Sequence, residues 1–362
     1  MSGTFEQARD FFMQGVRHYE AGELLQAERE FAASLALLPG RVSTLTNLGA
    51  VRLKLGQTQD AAALLEEALA QSPDNVEALR HQAATQAELG HHRQALATVD
   101  RALRLDPAAA GWTLRGSILR SLGRASEAAE AYRAAAARGG DSELNRFFLA
   151  ALSGGTAPAS APREYVESLF DRYAGDFEPH VVQVLKYHGP RILVEGLGPA
   201  PAFDAALDLG CGTGLCGPLL RPLARQLHGV DLSGKMVAHA RATGCYDEVV
   251  HADALEFLQG AATRYDLVMA ADVFIYVGAL EQVFTQAARV LRPGGRFCFS
   301  IELAPPGHDV LLQASLRYAH GAGYILKLAQ HSGFEISATA ERPIREDEGV
   351  PIPGLFAWLV RP

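Results

Sequence analysis

A 34-residue internal period constrains this chain more than any other feature. Gly22, Gly56, Gly90 and Gly123 recur at spacings of 34, 34 and 33 residues, and Ala27, Ala61, Ala95 and Ala128 follow each glycine by five. Pro39, Pro73 and Pro107 close the first three units. Phe31, Leu65, Val99 and Tyr132 hold a large apolar position, and Gly15, Gly49, Ala83 and Gly116 a small one before it. Small residues let two helices approach, glycine turns the chain between them, and proline ends the unit. The period therefore predicts a stack of helical hairpins, each burying its apolar face against the next.

This in-register pattern resembles four tetratricopeptide repeats (TPRs) over about residues 8–140. The resemblance implies an α-solenoid whose first helices face a concave groove, with Phe12, Tyr19, Lys54, Arg80 and Arg120 among the facing residues. The Lys/Asn clamp of repeats that grip a C-terminal carboxylate is absent. Ser142–Leu152 reads as a capping helix, giving a repeat array over 1–152. SGGTAPASAP, residues 153–162, is small, Pro-rich and uncharged, which is the composition of a linker. A second domain over 163–362 is the expectation.

That domain is organised around Ala205–Gly217, AALDLGCGTGLCG. Apolar residues to Leu209 predict a buried strand, the glycines a tight turn, and a helix is expected from about Leu215 with its first N–H groups facing the turn. Gly212, Gly214 and Gly217 also satisfy the dinucleotide pattern G-x-G-x-x-G. Asp208 at the strand tip would repel a pyrophosphate and attract an ammonium group. D-x-G-x-G-x-G thus looks like motif I of class I S-adenosylmethionine (SAM) methyltransferases. The resemblance implies that Asp208 meets the methionine end of SAM, with Gly210, Cys211, Gly212 and Gly214 forming the cofactor turn.

QLHGVDLS, Gln226–Ser233, predicts a second strand ending at Asp231, followed by Leu232 and a helix capped by Ser233. A carboxylate there suits both ribose hydroxyls, and Met236 is placed to lie on the adenine. In the class I pattern, Asp253 binds the adenine amine beside the Ala254 backbone. Asp272 and Tyr276 follow the fourth strand, on the edge where open α/β sheets bind ligands, and are candidates for the reacting centre. LRPGGRFCFSIE, Leu291–Glu302, reads as a helix end, a turn and a fifth strand, and FEISATA and LFAWLV as the last two. A Rossmann-like, seven-stranded, doubly wound sheet is the expected fold of this half, with its final strand antiparallel.

FDRYAxxFEPH, from Phe170 to His180, resembles the entry helices of a bacterial group of TPR-fused methyltransferases. By that resemblance the segment covers the cofactor, and Tyr173 contacts it. The insertion after the fifth strand carries RYAH, Arg317–His320, and the chain ends in an Arg-acid-Gly-x-Pro-x-x-Gly loop, as in the same group. Leu316 stands where that group more usually has glycine. Tyr318 and His320 join Asp272 and Tyr276 as catalytic candidates, because histidine titrates near working pH. Capping or backbone bonding is the other reading of His320.

The formal net charge of −8 opposes nucleic acid or an anionic membrane as partner. The N/D-P-P-[YF] motif of amino-methyltransferases is missing, with ADVFIY in its place, which disfavours DNA bases. No stretch reaches the ~18 apolar residues of a membrane span. The N-terminus lacks a basic-then-apolar leader, and four cysteines show neither CxxC nor metal spacing, so a cytoplasmic, metal-free protein is expected. The expected activity is methyl transfer from SAM to a small-molecule or peptide/protein acceptor, with the repeats recruiting the acceptor or a protein partner. The alternative is a non-catalytic SAM-binding adaptor.

Overall fold

The protein is described from a computed structural model covering residues 2–140, 142–175, 177, 184–199, 202–347 and 349–362. The chain divides into two compact units, Met1–Ser153 and Gly154–Pro362.

The first unit consists of helices α1 (Ser2–Glu20), α2 (Leu24–Leu37), α3 (Val42–Lys54), α4 (Thr58–Gln71), α5 (Val76–Glu88), α6 (His92–Leu105), α7 (Ala109–Ser121), α8 (Ala125–Ala136) and α9 (Glu143–Ser153). They pair as the period predicts, and each within-repeat turn places its glycine at φ between 72° and 78°. At Gly116 a Cβ would stand 2.7 Å from the Tyr132 ring, so the missing side chain is what admits the tyrosine. Helix α9 closes the stack. Its Phe148 ring lies 5.2 Å from Tyr132, and Asn145 donates to the Thr113 hydroxyl at 3.0 Å. The groove aromatics are partly consumed by packing: Phe12 lies 5.5 Å from Phe31, and Lys54 sits over the Tyr19 ring at 4.6 Å.

The second unit holds one nine-stranded sheet. Strands β1 (Phe203–Leu209), β2 (Ala224–Asp231), β3 (Glu248–His251), β4 (Tyr265–Ala270) and β5 (Leu291–Leu303) run parallel in the order β3-β2-β1-β4-β5. A short hairpin follows, β6 (Val310–Leu312) and β7 (Tyr318–His320), then β8 (Glu335–Asp347) and β9 (Val350–Val360). Strand β9 lies antiparallel on β5, from Arg296↔Val360 to Glu302↔Gly354, and β8 flanks it. The expected seven strands are thus present as β3-β2-β1-β4-β5-β9-β8. The hairpin adds two more, since β7 pairs with the last residues of β5.

Alternation along the strands places helices on both faces. Leu207, Leu209, Val268 and Phe299 pack with Leu258 of α14 (Ala254–Gly260), Phe284 of α15 (Glu281–Val290) and Ile325 of α16 (Ala322–His331). Ala206, Leu267, Met269 and Cys298 face the other way, against Leu193 of α11 (Gly189–Glu195) and Leu220 of α12 (Gly217–Leu220). Two further helices, α10 (Arg163–Tyr173) and α13 (Gly234–Ala242), complete the described set.

Three stretches are more ordered than their sequence indicated. RYAH lies just before a helix, α16 from Ala322, and its Tyr318–His320 is itself a strand, β7. Its entry carries Leu316 at φ 66°, a left-handed conformation that costs a non-glycine residue about 1–2 kcal/mol. Full burial at 1% exposure holds Leu316 there. The C-terminal Arg-acid-Gly loop is largely a hairpin, with β8 and β9 running to its tip. The stretch 153–162 is not a free linker along its length. Ala161 N–H donates to the Tyr276 carbonyl at 2.9 Å, and Gly278 N–H donates to the Ala159 carbonyl at 2.8 Å. A chain edge with its own ladder belongs to the second unit whatever its composition.

Candidate functional site

The carboxyl ends of β1, β2 and β4 converge, and each supplies an aspartate or its loop. At the end of β1, Gly210 and Cys211 both donate backbone N–H groups to the Val230 carbonyl, at 2.8 and 2.9 Å, which folds the turn across β2. Gly210 has φ 71°, and a Cβ there would lie 2.5 Å from Val273, so only glycine fits. Gly212 has φ 54° and faces open space, with nothing nearer its absent Cβ than Phe177 at 3.9 Å. That open cradle is where a ligand can approach backbone. Gly214, at φ 97°, is hemmed by Thr243 and Tyr246 and serves the turn itself.

Asp231 ends β2 and organises this turn. Its Oδ2 accepts from Gly212 N–H at 2.8 Å and its Oδ1 from Ser233 N–H at 2.9 Å. Burial pushes the carboxyl up, and the two backbone donors pull it back down. Each oxygen keeps a lone pair. Ser233 caps α13 by accepting from Met236 N–H at 3.1 Å, and its hydroxyl donates to Asp171 Oδ1 at 2.5 Å. Asp171 also accepts from Lys235 N–H at 3.3 Å, so α10 is fastened to the start of α13. The Leu232 carbonyl accepts from His251 Nε2 at 2.8 Å.

Other expected positions differ in detail. The helix expected from Leu215 begins at Gly217 and lasts one turn, because Pro218 and Pro222 interrupt the backbone donors. Its N-terminus is therefore no anion site. Met236 is 1% exposed, a core side chain and not an open platform for adenine. Asp253 caps α14, with Oδ1 accepting from Leu255 and Glu256 N–H at 2.8 and 3.1 Å. Its Oδ2 and the Ala254 backbone stand beside that cap.

Asp208 is fully buried. Its Oδ2 accepts from the Tyr246 hydroxyl at 2.6 Å, and its Oδ1 has no hydrogen-bond partner among the described residues. Burial raises the carboxyl to about 7, against the pull of hydrogen bonds from Tyr246 and Cys216. An orphaned buried oxygen is costly unless a donor arrives.

Beyond β4, Asp272 adopts φ 59° and donates its N–H to Ser300 Oγ at 2.9 Å. Its Oδ2 pairs with Arg345, which also bonds Glu302. Tyr276 lies in a short turn, Phe274–Tyr276, its ring edge-on to Phe170 at 5.4 Å. Phe177 joins them, 6.2 Å from Phe170 and 5.4 Å from Tyr173. Burial holds the Tyr276 hydroxyl up near 12. His180 of the expected entry motif lies outside the described residues.

The structure removes His320 and Tyr318 from the catalytic candidates. Both are fully buried. His320 Nε2–H donates to the carbonyls of Val277 and Gly278, at 2.9 and 3.1 Å, and Tyr318 donates its hydroxyl to the Pro158 carbonyl at 2.8 Å. Desolvation lowers His320 to about 4, so it is neutral at working pH, but it has no path to a substrate proton. These two side chains hold the β4 loop and the 158–161 strand together.

The site also uses residues to which the sequence assigned no role. Tyr246, Asp171 and Arg345 reach it from 38, 62 and 73 residues away along the chain. The FDRY and Arg-acid-Gly segments contain the last two, while nothing in the sequence marked Tyr246.

Comparison with known families fits this geometry. Residues 207–299 match a methyltransferase domain, and 12–76, 52–118 and 109–138 match tetratricopeptide repeats. Malonyl-[acyl-carrier protein] O-methyltransferase of Enterobacter lignolyticus is 30% identical over 138 residues, covering 38% of this chain and 53% of that protein. Human methyltransferase-like protein 27 is 37% identical over 142 residues, 36% of this chain and 55% of the relative. A probable S-adenosylmethionine-dependent methyltransferase of Mycolicibacterium smegmatis is 30% identical over 136 residues, 37% and 52%. The chain spans about half the length of these curated relatives. The chain thus matches tetratricopeptide repeats in its first half and a methyltransferase domain in its second.

Proposed function

We propose that the second unit binds SAM across the ends of β1, β2 and β3 and transfers its methyl group to an acceptor beside the β4 loop. The observation that carries this reading is the open Gly212 cradle, pinned to Asp231 and next to the orphaned Asp208 oxygen. Asp231 would hold the ribose hydroxyls, Asp253 the adenine amine and Asp208 the ammonium group. Bound there, SAM supplies a sulfonium methyl carbon open to in-line attack. The chain's own part is to align the acceptor, exclude water and take a proton where one must leave. Tyr173, Phe177, Phe170 and Tyr276 form the apolar cover, while Asp272 and Tyr276 bring the polar groups. The repeat array is assigned the recruitment of a peptide or protein, either as acceptor or as partner. The acceptor itself is a small molecule or a polypeptide, and one named relative acts on malonyl-acyl-carrier protein.

The direct test is calorimetry with SAM and NADH, followed by transfer of labelled methyl to metabolite and protein fractions. SAM binding and a labelled product are expected. NADH binding in place of SAM would overturn the reading, and SAM binding without any product would leave an adaptor.

A pH signature follows from Asp208. With the carboxyl near 7, it is mostly protonated at pH 6 and mostly ionised by pH 7.5. An ammonium ligand prefers the ionised form, so SAM affinity should rise across that interval, by up to about tenfold per pH unit on the acid side. Asp208→Asn should flatten the rise. A flat profile in the unaltered protein would remove Asp208 from the ammonium role.

A further inference from the structure

We propose that the acceptor presents a protonated amine to Asp272, which makes this residue the determinant of acceptor class; the inference rests on the methyltransferase reading above. Arg345 is 4% exposed and bonds two carboxylates, Asp272 through one terminal nitrogen and Glu302 through the other. Gln313 Nε2 donates to the second oxygen of Glu302 at 2.6 Å. Of the four carboxylate oxygens, three are therefore satisfied. The fourth, Asp272 Oδ1, is buried with no hydrogen-bond partner among the described residues.

Charge points the same way. One guanidinium faces two carboxylates, so the cluster keeps a net negative charge where the Asp272 side chain is only 15% exposed. A buried, uncompensated charge and an unmade hydrogen bond both carry a cost. A ligand N⁺–H group would offset both together. An alcohol would complete the hydrogen bond and leave the charge. A carboxylate would meet repulsion, and both terminal nitrogens of Arg345 are already engaged.

Tyr276, four residues along the same loop, stands edge-on to Phe170, which in turn meets Phe177. The Tyr276 hydroxyl is bonded by Arg317, whose charge is matched by its own partner Asp347, so the excess negative charge stays with Asp272 and Glu302. Ser300 Oγ fixes the Asp272 backbone in its left-handed conformation, so the carboxylate is aimed before any ligand binds. Asparagine tolerates that conformation as well as aspartate does, which makes Asp272→Asn a conservative probe.

The experiment measures binding of benzylamine, benzyl alcohol and benzoate to the full chain saturated with S-adenosylhomocysteine. Titration calorimetry and ligand-observed NMR are the readouts. Benzylamine should bind about tenfold or more tighter than benzyl alcohol, in line with a charge-assisted bond, and benzoate weakest of the three. Asp272→Asn should remove the amine preference while S-adenosylhomocysteine affinity stays intact, which also certifies the fold. Equal affinity or none for all three probes, a preference for benzoate, or an unchanged preference in the variant overturns the inference. Loss of S-adenosylhomocysteine affinity in the variant also overturns it, by giving the oxygen to the cofactor's own ammonium group. Failure of the unaltered chain to bind S-adenosylhomocysteine is a different result, which sinks the methyltransferase reading and takes this inference with it.

Discussion

Asp231→Ala is expected to lower SAM affinity by about tenfold to 150-fold. The range follows from charge-assisted hydrogen bonds, each contributing about 1.5–3 kcal/mol when the partner is a charged group. Two losses combine at this residue. The ribose hydroxyls lose their acceptor, and the N–H groups of Gly212 and Ser233 lose theirs, so the cradle itself loosens. Asp231→Asn separates the contributions, because the amide oxygen can still accept one backbone N–H while the charge is gone. Calorimetry should place the asparagine variant between the alanine variant and the unaltered protein. Unchanged affinity in Asp231→Ala would refute the ribose assignment.

Asp231 was legible in the sequence because its role depends on near neighbours. A strand, a turn and a capped helix occupy one short stretch, and local rules read such a stretch well. The repeats were legible for a related reason: a fixed period links each hairpin to the next. What escaped the sequence depends on distant pairing. Asp208 could be read as a strand-tip carboxylate, yet its burial depends on Tyr246, which the topology brings across from the loop before β3. Asp272 could be placed at the edge of the sheet, but its pairing with Arg345 requires the final hairpin to fold back along β5.

Composition misled in one place. Small, Pro-rich residues at 153–162 read as a tether, because propensity scores side chains and says nothing of backbone donors. The structure gives those donors partners, in the Ser160↔Val277 bridge and the bonds around it. RYAH escaped for the complementary reason. A three-residue strand buried throughout has no alternation to detect, and the helix just after it dominates the local pattern. The two stretches meet at one spot, since β7 and residues 158–161 grip the same loop after β4 from two sides.

That grip decides what His320 does. A catalytic base would lose 10²–10⁴-fold in kcat on removal. A buried neutral histidine donating to two carbonyls should instead reveal itself in stability. His320→Gln is expected to leave turnover per folded molecule within about threefold of the unaltered enzyme at pH 7.5, with SAM affinity intact. The pH dependence of unfolding should change. In the folded protein the ring stays neutral down to about 4, while in the unfolded chain it takes a proton below its ordinary 6.5. Between those values the unfolded state binds more protons, so stability is full above pH 6.5 and falls as the pH drops towards 4. The slope approaches 1.36 kcal/mol per pH unit and the total about 3 kcal/mol. Denaturant titrations of the unaltered protein at pH 7.5 and pH 5.5 contain this loss together with the opposite contribution of Asp208, whose raised carboxyl takes a proton in the folded state over the same interval. The same comparison in His320→Gln should differ by about one proton's worth of slope, the variant losing less on acidification. Asp208, raised to about 7, and His81, lowered by burial, are common to both proteins, so the difference between the two slopes isolates His320. Equal slopes in the two proteins, or a hundredfold fall in kcat with the fold intact, would return His320 to the chemistry.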